Sequence, residues 1–306
     1  MLVAGFECQL ITPLFMAGAD QGRAELRAPS IKGAIRWWFR AMMGGVLGDN
    51  IPQLHRLESR VFGSTDAGSP ISVRIKNVKP DPPRTLPQPR LPHKTENDEK
   101  AWRNAIKPGQ TFRIELSLAN RFSARGEMLL DVAKHSLLLA LTLGGFGNRS
   151  RRGFGSVYLS GEWPKEEKEI VRNAEKVFTD FILKQKIPCK PWANTPKFPC
   201  IANNYFDIWI ADGEGKWMNE LSSLMQEMSK FSHGRNGKAI GGATPSRQAS
   251  PLIVHAKPGD GEMVRLVFSH FRCKLSSDFT INDSDRDALV NITEVKLNAK
   301  RVEVFS

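Results

Sequence analysis

The chain reads as an α+β protein of two ferredoxin-like (RRM-like) βαββαβ units with a glycine-rich loop. Three observations lead there. Its 306 residues amount to roughly two domains at about 150 residues each. In the first half, several stretches alternate apolar and polar residues with the period of a half-buried strand. Two longer stretches between them carry apolar residues at helical spacing, which gives the order β-α-β-β-α-β.

The elements follow in sequence. Ala4, Phe6, Cys8 and Leu10 alternate with Gly5, Glu7 and Gln9 and predict the first strand. After a loop over 12–29, Ser30 is placed to cap a helix running to about Met43, with Ile31, Ile35, Trp38 and Met42 on its buried face. Ile71, Val73 and Ile75 predict the second strand; Phe112, Ile114, Leu116 and Leu118 predict the third. Residues 127–143 form a strongly apolar helix, and Val157 to Leu159 begin the fourth strand. Between the second and third strands, residues 79–110 hold seven of the nineteen prolines. The first half of that segment is expected to be neither strand nor helix, serving as a mobile linker or as an arm that orders against a partner. An amphipathic helix over 165–187 joins the halves. A second series then places strands near 205–210, 252–255, 264–270 and 302–305, with helices near 216–231 and 283–290. The unit boundary falls between residues 1–163 and 164–306.

Composition narrows the function. Lys plus Arg number 44 against 32 Asp plus Glu, a formal charge of +12. The excess is lopsided, with a net +9 over residues 1–163 and +3 over the remainder, so a polyanionic partner is expected. No apolar run has the length of a membrane helix, and the first ten residues lack a signal-peptide pattern. Four cysteines at 8, 189, 200 and 273 form no CxxC pair and read as buried or free thiols of a reducing cytoplasm. The six histidines are scattered without metal-ligand spacing, and His135, in an apolar helix, reads as a satisfied core residue. No Ser-His-Asp arrangement is legible. No catalytic residue, metal or cofactor is expected.

The densest signal is Leu143 to Ser156, LGGFGNRSRRGFGS, where five glycines accompany Arg149, Arg151 and Arg152. Its glycines, Gly145 and Gly147 among them, let backbone approach a ligand. Three arginines without a sequence-neighbouring acid favour an external counter-charge. The loop is neither GxGxxG, since Ser150 stands at the last glycine position, nor a P-loop. Its partial likeness to the RRM octamer is discounted because it leads into a fourth strand. The second signal is the first helix, where Lys32, Arg36 and Arg40 form a basic stripe at i, i+4, i+8. Arg27 and Ser30 lie at its anion-favouring N-terminus. In the ferredoxin-like order the fourth strand lies beside the first, so the start of this helix and the glycine loop are expected to converge on one edge. Trp38 reads as core, while Trp37 is either core or a stacking platform. Asp20 and Glu25 precede the helix, with Arg23 and Arg27 beside the latter. Residues 232–250, with Arg235, Lys238 and Arg247, read as a solvated flexible loop, with a second anion-binding loop as the alternative.

Ile11-Thr12-Pro13-Leu14-Phe15, the run from Arg27 to Trp38, Val61-Phe62-Gly63-Ser64 and the glycine-arginine loop together resemble the repeat-associated mysterious proteins of CRISPR systems, the RAMP superfamily. The match is closest to the subunit-one family of the Cmr (type III-B) RNA-guided effector complex. Ala249-Ser250-Pro251-Leu252 is similar to the pattern of the superfamily's second half. The resemblance implies two ferredoxin-like units and a non-catalytic subunit holding the 3′ portion of a CRISPR guide RNA and its duplex with target RNA. Its partners would be those RNAs and other RAMP subunits of the Cmr complex, in the cytoplasm and away from any membrane. RNA contacts would carry onto Ser30, Lys32, Arg36 and Asn148 through Arg152. RAMP subunits that cut RNA use an Asp in the loop before this helix, which makes a metal-dependent endoribonuclease using Asp20 the alternative. A nucleotide-binding enzyme is a third class, opposed by the missing phosphate-loop residues. The proline-rich insertion sits where other RAMP subunits project a thumb, although its composition departs from a hairpin.

Overall fold

The computed structural model describes residues 2–89, 102–120, 126–164, 166–213, 215–233, 249–259, 263–274, 290–291, 293–294 and 298–305. The first half runs β1 (Val3–Leu10), α1 (Ala28–Leu47), α2 (Ile51–Phe62), β2 (Ile71–Lys79), β3 (Thr85–Pro89), β4 (Trp102–Ile106), β5 (Thr111–Leu118), α3 (Glu127–Leu143) and β6 (Val157–Ser160). The second runs α4 (Glu167–Lys184), β7 (Phe206–Asp212), α5 (Trp217–His233), β8 (Leu252–Pro258), β9 (Val264–Phe271) and β10 (Lys300–Val302).

The four long strands of the first half pair antiparallel in the order β2-β5-β1-β6. The second sheet repeats that connectivity as β8-β9-β7-β10, again antiparallel throughout. Strand alternation does what it predicts: Phe6, Cys8 and Leu10 face inward with Phe112, Ile114 and Leu116. Ile31, Ile35, Trp38, Phe39 and Met42 of α1 join them, as do α3 and α4, in one continuous core. Phe206, Ile208, Val267 and Phe271 of the second sheet belong to the same core. That sheet therefore lies over the helical layer, and its other face packs α5 through Leu221, Leu224 and Met225. Backbone crosses α1 closely near its end: a Cβ on Gly45 would stand 1.8 Å from the Ile201 carbonyl, so only glycine fits there.

Three expectations need correction. The helix α2 was not anticipated, although Asn50 accepts from the Gln53 N–H as its cap and Leu54, Leu57 and Val61 form its buried stripe. Part of the proline-rich segment is strand after all, since β3 pairs with β4. Pro87 and Pro89 lie two apart, so their missing N–H groups fall on the same side of the ribbon, away from β4. The base of this hairpin is anchored by mutual backbone bonds between Leu14 and Ile106, 3.0 Å each. Finally, β10 lies about two residues before the strand expected at 302–305. The helix expected near 283–290 lies outside the described residues except at Val290, as do residues 90–101 and the basic positions Arg235, Lys238 and Arg247.

Candidate nucleic-acid interface

Segment 11–17, which follows β1, and loop 144–156, which precedes β6, are laced together. Thr12 Oγ1 donates to the Gly153 carbonyl at 2.7 Å and accepts from the Ser156 N–H at 3.0 Å. The Gly155 N–H donates to Pro13 at 2.9 Å, and the Asn148 N–H to Phe15 at 2.7 Å. This lacing accounts for the glycines. Gly147 has φ 79°, and a Cβ there would stand 2.4 Å from the Phe15 carbonyl. A Cβ on Gly145 would stand 2.8 Å from the Phe154 carbonyl. Both glycines therefore serve chain-to-chain closure. The base of the loop is held by His255 of β8, whose Nδ1 bonds the Gly144 carbonyl. Burial pushes that imidazole down to about 4, so at neutral pH it is uncharged and donates through Nδ1–H.

The arginines occupy the outer bend. Arg149 takes a left-handed conformation (φ 62°), a single 3-10 turn covers Ser150–Arg152, and Gly153 (φ 81°) closes it. The Arg151 guanidinium lies 4.9 Å from the Trp37 ring centroid and donates to the Ser250 carbonyl. The half-buried Arg152 donates to the Arg151 carbonyl at 3.4 Å. Its pKa is lowered to about 10, by desolvation first and then by repulsion from Arg149 and Arg151. Desolvation also lowers that of Arg151. Among the described residues neither Arg151 nor Arg152 forms an ion pair with a carboxylate. Partly desolvated cations that repel one another are what an incoming oxyanion would relieve.

The helix α1 splits the expected basic surface in two. It begins at Ala28, with Arg27 at the cap position and no side-chain cap. Ser30 thus lies inside the first turn, and its expected capping role is corrected. Arg27 donates to the Ala17 carbonyl at 3.1 Å and pairs with Glu25 at 3.2 Å. Ala17 is two residues beyond Phe15, where Asn148 docks, so the start of α1 and the bend of the loop do converge through residues 15–17. The basic stripe does not join them. Arg36 and Arg40 both reach Oε1 of the buried Glu58 of α2, at 2.6 and 2.7 Å. The Lys32 ammonium donates to Ser69 Oγ at 2.7 Å and to the Ile71 carbonyl at 3.2 Å. Burial, then Arg36, lowers the Lys32 pKa. These three side chains knit α1 to α2 and β2.

Other expectations resolve individually. Trp38 is buried, while Trp37 is half-buried, with its edge against Trp38 and Phe271. The His135 Nδ1 meets the Asp131 carbonyl at 2.9 Å. Cys8, Cys200 and Cys273 are buried thiols and Cys189 is exposed; burial raises Cys8 to about 12. Asp20 accepts from the Gly22 N–H at 2.8 Å and does not line the neighbouring cleft of about 570 Å³, whose acids are Glu25 and Asp81. Among the described residues no three His, Cys, Asp or Glu side chains gather as a metal-holding group. The outer face of the central strands β1 and β5 offers Glu7, Gln9, Arg113 and Glu115. There Arg113 pairs with Glu7, and Lys76 with Glu115 at 2.9 Å, and Tyr158 of β6 stands beside Gln9. Sequence reasoning missed Thr12, Glu58, Ser250 and His255 as parts of this region. Thr12 and Ser250 had a signal, each standing in a resemblance motif.

An antiparallel α/β scaffold whose first sheet carries a glycine-arginine loop against the start of α1 defines a protein class, and the family model for the RAMP superfamily matches residues 7–158. The chain belongs to this superfamily. It is similar to Cmr1-2, a CRISPR system Cmr subunit of Pyrococcus furiosus, with 35% identity over 183 residues, or 51% of this chain and 95% of that one. Cmr1-1 of the same organism is 31% identical over 196 residues, 60% of this chain and 52% of that protein. The apo crystal structure of Pyrococcus furiosus Cmr1 shares the fold, with a TM-score of 0.65 at 21% identity over 98% of both chains. A chain of the type III-B Cmr-beta complex bound to cognate target RNA does so too, with a TM-score of 0.62 at 13% identity over 95% of this chain and 99% of that one. No helix among the described residues is long and apolar enough to cross a membrane.

Proposed function

We propose that this chain is a non-catalytic RNA-binding subunit of a type III-B (Cmr) effector complex. It holds the 3′ portion of a guide RNA, its duplex with target RNA, or both, beside other RAMP subunits in the cytoplasm. The observation that carries the reading is the pair of partly desolvated guanidiniums, Arg151 and Arg152, held at the bend of a closed loop without a carboxylate partner among the described residues. Asn148, Arg149 and Ser150 adjoin them in the loop, Arg27 and Ser30 at the start of α1 would add to the surface, and affinity would come from phosphate neutralisation while base pairing reads sequence. The relatives named as Cmr subunits, and the neighbour bound to target RNA, support the choice of ligand. The common strand order of the two sheets supports two ferredoxin-like units divided near residue 163. For catalysis, Asp20 is committed to a local turn and Glu25 to Arg27, which favours the non-catalytic reading over metal-dependent cleavage.

The test is binding of labelled single-stranded RNA across a salt series, with and without divalent metal. About four to six neutralised phosphates predict a slope of log K against log[salt] of roughly −3 to −4. Intact RNA at every metal concentration is the expected companion result. A slope near zero overturns the RNA reading, and metal-dependent fragments overturn the non-catalytic one.

A further inference from the structure

We infer that Trp37 is a positioning residue: it holds the Arg151 guanidinium, from the side of α1, in the orientation that meets an RNA phosphate. This rests on the reading of the loop as an RNA contact and adds to it a device spanning both halves of the molecule. Three independent elements fix one side chain. The turn 150–152 sets its origin. The Trp37 ring lies beneath it, with its centroid 4.9 Å from the guanidinium carbon. The Ser250 carbonyl, at the entrance to β8, takes one of its N–H groups.

The grip is rigid on each side. Trp37 meets Trp38 edge-on, with centroids 4.9 Å apart at 82°, and Phe271 of β9 edge-on at 5.6 Å and 90°. Ser250 is buried, with its hydroxyl accepting from the Leu252 N–H at 3.2 Å. The adjacent Pro251 carbonyl accepts from the Phe271 N–H at 3.0 Å, so the two contacts to Arg151 share one support. A guanidinium has five N–H donors, all in its plane. A cation held over a ring face is attracted by the π-system and needs no acceptor oxygen from that ring. With one donor spent on Ser250, the others remain for an oxyanion, and the forked geometry suits a phosphate bidentately. Because rotamer freedom is removed before binding, less ordering entropy is lost on contact. The second half thereby contributes to RNA affinity through Ser250 and Phe271, which hold Arg151 and Trp37 in place.

A double-mutant cycle on the full-length protein tests this, with a fluorescein-labelled oligouridylate as probe and melting temperatures recorded alongside. Arg151→Ala should weaken binding on the order of tenfold and flatten the salt slope by about 0.7, the loss of one phosphate contact. Trp37→Leu should weaken binding by a similar factor with the same flattening, although no charge is removed. Trp37→Phe, which keeps an aromatic face, should restore most of the affinity. In the Arg151→Ala background, Trp37→Leu should have no further effect on binding. Additive losses, or a Trp37→Leu loss with an unchanged salt slope, overturn the positioning role while leaving the loop as an RNA contact. Full RNA affinity in Arg151→Ala instead removes the loop reading on which the inference depends.

Discussion

Two basic regions of this molecule, alike in sequence, differ in what they do with their charge. Lys32, Arg36 and Arg40 form a regular stripe on α1, the pattern most easily read as a phosphate-binding surface. The structure spends it internally: the carboxylate of Glu58, 4% exposed, draws in both arginines, and Lys32 is bonded to Ser69 and Ile71. The loop around Arg149, Arg151 and Arg152 is irregular, yet its described contacts for Arg151 and Arg152 are backbone carbonyls and an aromatic face. Carbonyls and rings orient a guanidinium without cancelling it, whereas a buried carboxylate does both. The comparison teaches that a cation's availability depends on the kind of acceptor that holds it.

Replacing Arg149, Arg151 and Arg152 together by Ala is the most direct way to break this comparison. Charge-assisted contacts at about 1.5 kcal/mol each predict a loss of roughly 4 kcal/mol in RNA binding, on the order of a thousandfold. Stability should move by less than about 1 kcal/mol. Parallel titrations and melts check it; a large drop in melting temperature with undiminished binding would make the loop structural.

The next effect concerns how the loop is held. The His255 pKa lies near 4 in the folded chain against an ordinary value of about 6.5, so folding favours the neutral ring. The stability this supplies is complete above pH 6.5 and drains away as pH falls through 6.5 toward 4, the loss amounting to about 3 kcal/mol by pH 4. Denaturant titrations at pH 7 and pH 4 should show that loss in the wild type. It should be largely absent in His255→Gln, and equal acid sensitivity in both proteins would count against the assignment.

Smaller still is the response expected on α1. Glu58→Gln leaves two guanidiniums without their carboxylate, but these side chains are 35% and 40% exposed and so partly screened by water. A cost of about 2 kcal/mol is therefore expected, below that of breaking a fully enclosed pair. RNA affinity should hold or rise as the arginines are released. Weaker RNA binding in this variant, at unchanged stability, would return the stripe to the interface.

Much of the scaffold was legible because its strands and helices bury one face of a periodic pattern. Residues 127–143 were read to the residue as α3, and the antiparallel strands of both sheets lie close to their expected places. The failures were local. The short helix α2 is marked in the sequence by little beyond its Asn50 cap and a short apolar stripe, and the prolines of β3 argue against a strand although their spacing of two is the arrangement a paired edge strand tolerates.

For the candidate site, the amino-acid sequence by itself determined the dense glycine-arginine loop, the excess of positive charge in the first half and, through strand order, the approach of the loop to the start of α1. Only the tertiary structure decided which of the cations are spent. Glu58 lies eighteen residues from Arg40 and Ser250 ninety-nine from Arg151, and no local pattern announces either meeting. Charge is a property of the residue, but neutralisation depends on what packing brings within a few ångströms and how much water it removes.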